Sequence, residues 1–143
     1  MPYQTFEELS EAECLRLIAP GGVGRIAYES RFGPAVLPVN YTLDHGAVLF
    51  RTAEHGPLDE DLRTGITSGE YKVAFEIDDI DIAARRGWSV LIQGPAHHLT
   101  ETERRTAGTA DIETWAPGEK ELFVKIVPTR ITGRRLGAAT QAR

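Results

Sequence analysis

The spacing of hydrophobic positions is helical before Pro20 and two-residue after Gly22. Leu9, Cys14, Leu17 and Ile18 fall roughly on one helical face. Ser10 precedes Glu13 with capping-box spacing, Glu7, Glu8, Glu11 and Glu13 suit the positive end of a helix dipole, and Pro20-Gly21-Gly22 stops the run. The chain is therefore predicted to open with a helix. Residues 23–28 then read as a first strand. Ala35, Leu37, Val39, Tyr41 and Leu43 alternate with Val36, Pro38, Asn40 and Thr42 as a second. Asp44-His45-Gly46 is a turn signal, so residues 47–52 complete a hairpin. Tyr71, Val73, Phe75 and Ile77 alternate with Lys72, Ala74, Glu76 and Asp78 in a fourth strand, and residues 88–99 make a long fifth. A sixth covers residues 122–127 and continues past Pro128 to about Gly133. Short helices are predicted over residues 58–63 and, by a second capping box, from Thr100-Glu101-Thr102-Glu103. Six antiparallel strands with few helices imply a mainly β fold closed into a barrel, which removes sheet edges.

Length and charge narrow the function. The chain has 143 residues, enough for one core, expected over residues 1–136 with a flexible tail over 137–143. A net charge of −5 argues against nucleic acid as a partner, where a basic footprint is expected. No apolar run is long enough to span a bilayer, and the N-terminus lacks a basic start and apolar middle, so no membrane partner and a cytoplasmic location are expected. Cys14 is the single cysteine and cannot form an internal disulfide.

Hydrolase and Walker-type motifs do not occur, and Gly21-Gly22-Val23-Gly24 precedes a strand where a dinucleotide fingerprint would join strand to helix. His97 and His98 are neighbours on a strand and leave it on opposite faces, so they cannot share a metal. His45 and His55 fall in a turn and a loop, Asp78, Asp79 and Asp81 read as a solvated turn, and no metal site is expected. Two places carry more. Phe50-Arg51-Thr52 ends a strand with a cation and a hydroxyl, which suits a phosphate as well as a structural pair. Trp88 opens a long strand, where its indole either stacks on a planar ligand or fills the core.

Taken in order, several segments resemble the pyridoxamine 5′-phosphate oxidase-like family of FMN-binding split β-barrels, nearest to its small actinobacterial-type branch. They are Gly24-Arg25-Ile26-Ala27, Leu37-Pro38-Val39-Asn40-Tyr41, Phe50-Arg51-Thr52, Val73-Ala74-Phe75-Glu76-Ile77-Asp78, the run from Gly87-Trp88-Ser89-Val90 to Gly94, and the run from Pro128-Thr129-Arg130 to Arg135. The resemblance implies a six-stranded antiparallel split barrel of Greek-key type and a homodimer with FMN at the subunit interface. Leu37, Pro38, Val39 and Asn40 would run along the isoalloxazine ring, Arg51 and Thr52 would meet the ribityl chain and phosphate, and Leu58 would follow in the next loop. Trp88 and Ser89 would approach from the partner subunit. One position departs from the family: Pro57 stands where relatives often carry a phosphate-binding Lys, with Arg63, Arg85 and Arg86 as the nearest replacements. The function implied is flavin-dependent redox chemistry with a small-molecule substrate or reductant. The alternatives are a deazaflavin held in a groove of Arg85, Arg86, Arg130, Arg134 and Arg135, or a non-catalytic flavin or haem module. FAD is a less favoured cofactor.

Overall fold

The structure is a computed structural model and describes residues 4–52, 71–106 and 122–138. Its elements are β1 (Gln4–Leu9), α1 (Glu11–Ile18), β2 (Gly22–Ser30), β3 (Gly33–Asp44), β4 (Ala47–Thr52), β5 (Tyr71–Asp81), β6 (Arg86–His98), α2 (Glu101–Thr106), β7 (Leu122–Ile126) and β8 (Arg130–Ala138). The predicted helix at 58–63, with Pro57, Leu58 and Arg63, lies outside the described residues.

The predicted barrel is present. All pairings are antiparallel, and β6-β5-β2-β3-β4-β7 closes on itself where Ala96, His97 and His98 of β6 meet Ile126, Lys125 and Val124 of β7. Over its first half the same edge of β6 pairs instead with β8, from Gly87↔Leu136 to Gln93↔Arg130, and β1 adds outside β8. The barrel wall therefore divides along β6. The changeover lies at Gly94-Pro95, where Val127 N–H donates to Pro95 at 3.0 Å and Thr129 N–H to Gln93 at 2.8 Å.

Two expectations change. Gln4–Leu9 is a strand and not the start of the helix: Glu7 and Glu8 pair in register with Arg135 and Arg134 of β8. The helix begins after Ser10, whose hydroxyl accepts from the Glu13 N–H at 3.2 Å. The predicted sixth strand is two, because Pro128 carries no N–H and the chain breaks there to shift from β7 to β8. β8 runs to Ala138, opposite Gln4. The β3–β4 hairpin forms as expected, with His45 (φ 51°) and Gly46 (φ 84°) both left-handed, as a two-residue hairpin turn requires.

The core lies inside the ring and comes from the alternating positions read in the sequence: Ile26, Tyr41, Phe50, Phe75, Val90 and Ile92 are all buried. Phe75 stacks on Phe50 with centroids 6.1 Å apart and meets Tyr41 edge-on at 5.5 Å. α1 adds Cys14 and Ile18 to the same cluster. Its last turn is held by the Tyr41 hydroxyl, which donates to the Ile18 carbonyl at 2.7 Å, and by Gly21 (φ 79°), whose N–H returns to that carbonyl at 3.1 Å. α2 carries a complete capping box: Thr100 N–H donates to Glu103 at 2.9 Å and Glu103 N–H to the Thr100 hydroxyl at 3.1 Å. No helix among the described residues is long and apolar enough to cross a membrane.

Candidate functional site

Side chains that alternate with the core positions of β2, β5, β6 and β8 form one outer sheet face. Cross-strand register sets its layout. Pro38 lies opposite Arg25, Arg25 opposite Glu76, and Glu76 opposite Leu91, while Ser89 joins Asp78 on one side and Arg134 on the other. Phe6 and Glu8 of β1 continue the row beyond Leu136 and Arg134.

Two adjoining hollows lie on this face and share Phe6, Ser89 and Arg134. The first, about 590 Å³, has apolar walls from Phe6, Ile80, Ile82, Trp88 and Leu136, with Arg85, Arg86 and Arg134 at its rim. The second, about 600 Å³, is more polar and includes Glu8, Glu76, Thr132 and Arg130. Trp88 packs as the core reading expects and also lines a hollow: its indole is half-buried, sits on the edge of the core and walls the first hollow. Apart from Trp88, the apolar walls of the hollow stand outside the elements that the sequence pattern predicts. Phe6 sits in the strand taken for helix, and Ile80 and Leu136 lie beyond the predicted strand ends. Their signal was alternation continuing outward, Ile80 after Asp78 and Leu136 after Arg134.

The other predicted residues stand elsewhere on the barrel. The β3–β4 ladder ends at Tyr41↔Phe50, so the β4-facing edge of Leu37-Pro38-Val39-Asn40 has no described strand partner. Leu37 and Pro38 are exposed, Val39 and Asn40 half-buried. Arg51 lies one step past that ladder, its guanidinium 5.5 Å from the centroid of the Phe123 ring, and Thr52 is buried. Leu58 lies outside the described residues. Counting strands from β6 to β3, the Trp88–Ser89 group and the Leu37–Asn40 group are separated by three strand spacings of ~4.8 Å, roughly 14 Å. A single chain thus does not bring the described predicted residues together.

The donor set suits a flavin nucleotide. A flat apolar ring needs apolar walls and backbone hydrogen-bonding groups, which Trp88 and the β3 edge beyond the β3–β4 ladder present, and a phosphate needs cations, which Arg51, Arg85, Arg86 and Arg134 supply. Of the five arginines expected to line a basic groove, Arg135 leaves it: its side chain turns to the opposite face and pairs with Glu7 and Glu13 at 3.8 and 3.5 Å. Arg130 lies in the second hollow, 3.4 Å from Gln93.

Between the two groups sits an ionic cluster. Arg25 Nη1 is 3.3 Å from Glu76 Oε1 and 3.4 Å from Asp78 Oδ2. Partial burial, and then the hydrogen bond and negative charge of Asp78, push the Glu76 carboxyl up to about 7, although Arg25 acts the other way. Among the described residues no group of three or more His, Cys, Asp or Glu could hold a metal ion.

Comparison with known proteins agrees with the resemblance. An uncharacterized protein of Mycobacterium tuberculosis, Rv0080, is 31% identical over 131 residues, covering 92% of this chain and 86% of its own. An FAD-binding protein from Mycobacterium smegmatis is 32% identical with a TM-score of 0.72, over 90% of this chain and 97% of that one. An FAD-binding protein from Mesorhizobium loti superposes with a TM-score of 0.74 over 96% of this chain and 100% of its own; at 21% identity this shows the shared fold alone. The sequence family described as pyridoxamine 5′-phosphate oxidase matches residues 10–135, and the chain belongs to that family.

Proposed function

We propose that this chain is a flavin-binding protein that holds FMN between two copies of itself and acts as a flavin-dependent oxidoreductase on a small-molecule donor. The carrying observation is the separation of the site residues. Ser89 faces outward from β6 and Trp88 walls the first hollow beside it, while Leu37 to Asn40 lie on β3, roughly 14 Å away by strand spacing. In a two-fold pair, the first group of one chain can face the second group of its partner, because an isologous interface uses the same patch twice. Exposed Phe6, Ile80 and Leu136 give that outer face the apolar character of a buried contact.

The bound flavin would supply hydride transfer, and the protein would bind and orient it. Arg51 would hold the phosphate, the β3 edge would hydrogen-bond the ring, and Trp88 would shield the ring from water. A second reading, FAD, draws support from the relative that shares 32% identity and is described as FAD-binding. The first hollow, with apolar walls and three arginines, has the character needed for a further phosphate and an adenine.

Acid extraction of flavin from purified protein, with titration of FMN, FAD and deazaflavin against the flavin-free chain, tests this. FMN should bind most tightly, and the complex should be reduced by a nicotinamide or similar donor and reoxidised with turnover. Tighter FAD or deazaflavin binding would replace FMN. A colourless protein that quenches none of the three would end the flavin reading.

A further inference from the structure

We propose that the Arg25–Glu76–Asp78 cluster makes self-association of this chain proton-linked: a second copy closes over the outer face as each protomer takes one proton from solvent onto its carboxylate pair, so the dimer weakens as pH rises. The proposal rests on the homodimer reading and adds to it a control that the shared site does not require.

The cluster is central on the face that the second copy would cover. Pro38 flanks it on the β3 side, and Leu91 and Ser89 flank it on the β6 side. Its charges do not cancel. Arg25 is one cation placed between two carboxylates, and among the described residues it is the only cation within ion-pair distance of either. The nearest charged groups from other strands are engaged elsewhere: Arg130 reaches Gln93, and Arg134 lies over the Phe6 ring at 5.9 Å. Glu8 of β1 adds another negative group at the far side of the second hollow.

In the single chain this imbalance is tolerated because water still reaches it: the Glu76 and Asp78 side chains are 35% and 22% exposed. A second copy removes that water from two clusters at once, and an uncompensated buried charge is strongly unfavourable. Neighbouring carboxylates meet this by sharing a proton. Glu76 already takes up its proton near neutrality in the uncovered chain, at about 7, so further desolvation raises its affinity for the proton again. The linkage is therefore expected above neutrality. Below it the free chain already carries the proton, and association needs none from solvent.

Sedimentation of the full chain across pH 6 to 9, beside Glu76→Gln, is the test. The wild-type dissociation constant should stay flat at the acid end and rise toward about a hundredfold per pH unit on the alkaline side, since two protons leave per dimer. Glu76→Gln should remain dimeric with no such slope. This variant also separates the cluster from the α-amino group, which titrates in the same range. A wild-type constant independent of pH, or a slope retained in Glu76→Gln, overturns the proposal while leaving the dimer intact. A chain that stays monomeric at every pH overturns the dimer reading as well. If Glu76→Gln does not fold, Asp78→Asn takes its place with the same expectation. If the dimer is too tight to dissociate, a ¹³C-carboxyl NMR titration reads Glu76 directly: a midpoint above neutrality upholds the proposal, and one in the ordinary carboxylate range overturns it.

Discussion

Replacing Gly94 by alanine should cost more than any other single methyl added to a described strand glycine. A Cβ at this position would stand 2.0 Å from the Val127 carbonyl oxygen, 3.0 Å from its carbon and 3.1 Å from the Thr129 nitrogen. All three are backbone atoms, so no side chain can rotate away. The oxygen must retreat by about 1 Å, which is a large displacement in a close-packed interior. That retreat pulls on the bonds from Val127 N–H to Pro95 and from Thr129 N–H to Gln93. Overpacking costs about 1–3 kcal/mol. Stretching two hydrogen bonds adds about 1 kcal/mol each. The expected loss is about 3–5 kcal/mol, a large share of an ordinary domain's ~5–15 kcal/mol. With a urea slope of about 2 kcal/mol/M, the midpoint should fall by roughly 1.5–2.5 M. Gly137→Ala is the matched control: the added carbon meets only the Arg86 Cβ, at 3.9 Å, and the midpoint should hardly move. Equal midpoints for the two variants would refute the claim that the strand changeover needs a bare backbone at Gly94.

Three further outcomes follow from single contacts. Arg51→Ala should weaken flavin binding by at least ~1 kcal/mol, the size of a lost charge-assisted hydrogen bond, in a fluorescence-quenching titration; unchanged affinity would move the phosphate site elsewhere. Tyr41→Phe should cost about 1–2 kcal/mol in urea unfolding, because the Ile18 carbonyl loses a buried donor. Burial pushes the Tyr41 phenol up to about 12, so the unfolded chain releases this proton first and wild-type stability should fall between pH 10 and 12; that alkaline loss should be smaller in the variant. Thr100→Ala should cost about 1 kcal/mol by removing half of the capping box. The Thr100 N–H, ahead of His97 and Lys125, holds the Glu103 carboxyl below its usual range, so its stabilisation is present above about 4.5 and lost as pH falls; Glu103→Gln should flatten that acid limb.

What could be read in advance depended on whether a residue's partners are near it in sequence. The β3–β4 hairpin was legible because Asp44-His45-Gly46 states its own turn, and α2 because Thr100 and Glu103 bond to each other. β1 was not. Thr5, Glu7 and Leu9 do not make an apolar face, and the strand exists because Glu7 and Glu8 sit opposite Arg135 and Arg134, more than a hundred residues away. The break at Pro128 was misread for a similar reason, since it depends on Gly94 lying underneath. The site followed the same rule. Arg51, Trp88 and the Leu37–Asn40 run came from ordered motifs, whereas the hollow beside Trp88 needed Phe6 from β1 and Leu136 from beyond the predicted end of the sixth strand. The Arg25–Glu76–Asp78 cluster was present as letters, but only the register Arg25↔Glu76 makes it one group.

β6 uses one edge for two purposes, and this gives the molecule an uneven resistance to opening. The ring closes without β1 and β8, which hang on the first half of β6 and are backed by α1 where Cys14 lies under Gly133. The β1–β8 ribbon can therefore peel away as a unit while β5, β2 and β3 keep their ladders, and its amides should exchange with solvent hydrogen at a lower free energy than those of β5. The walls of the first hollow fall on both sides of that seam, Phe6 and Leu136 on the ribbon and Ile80 and Trp88 on the ring. A ligand seated between them stitches the ribbon to the ring, and slowed exchange in β1 and β8 would report its arrival.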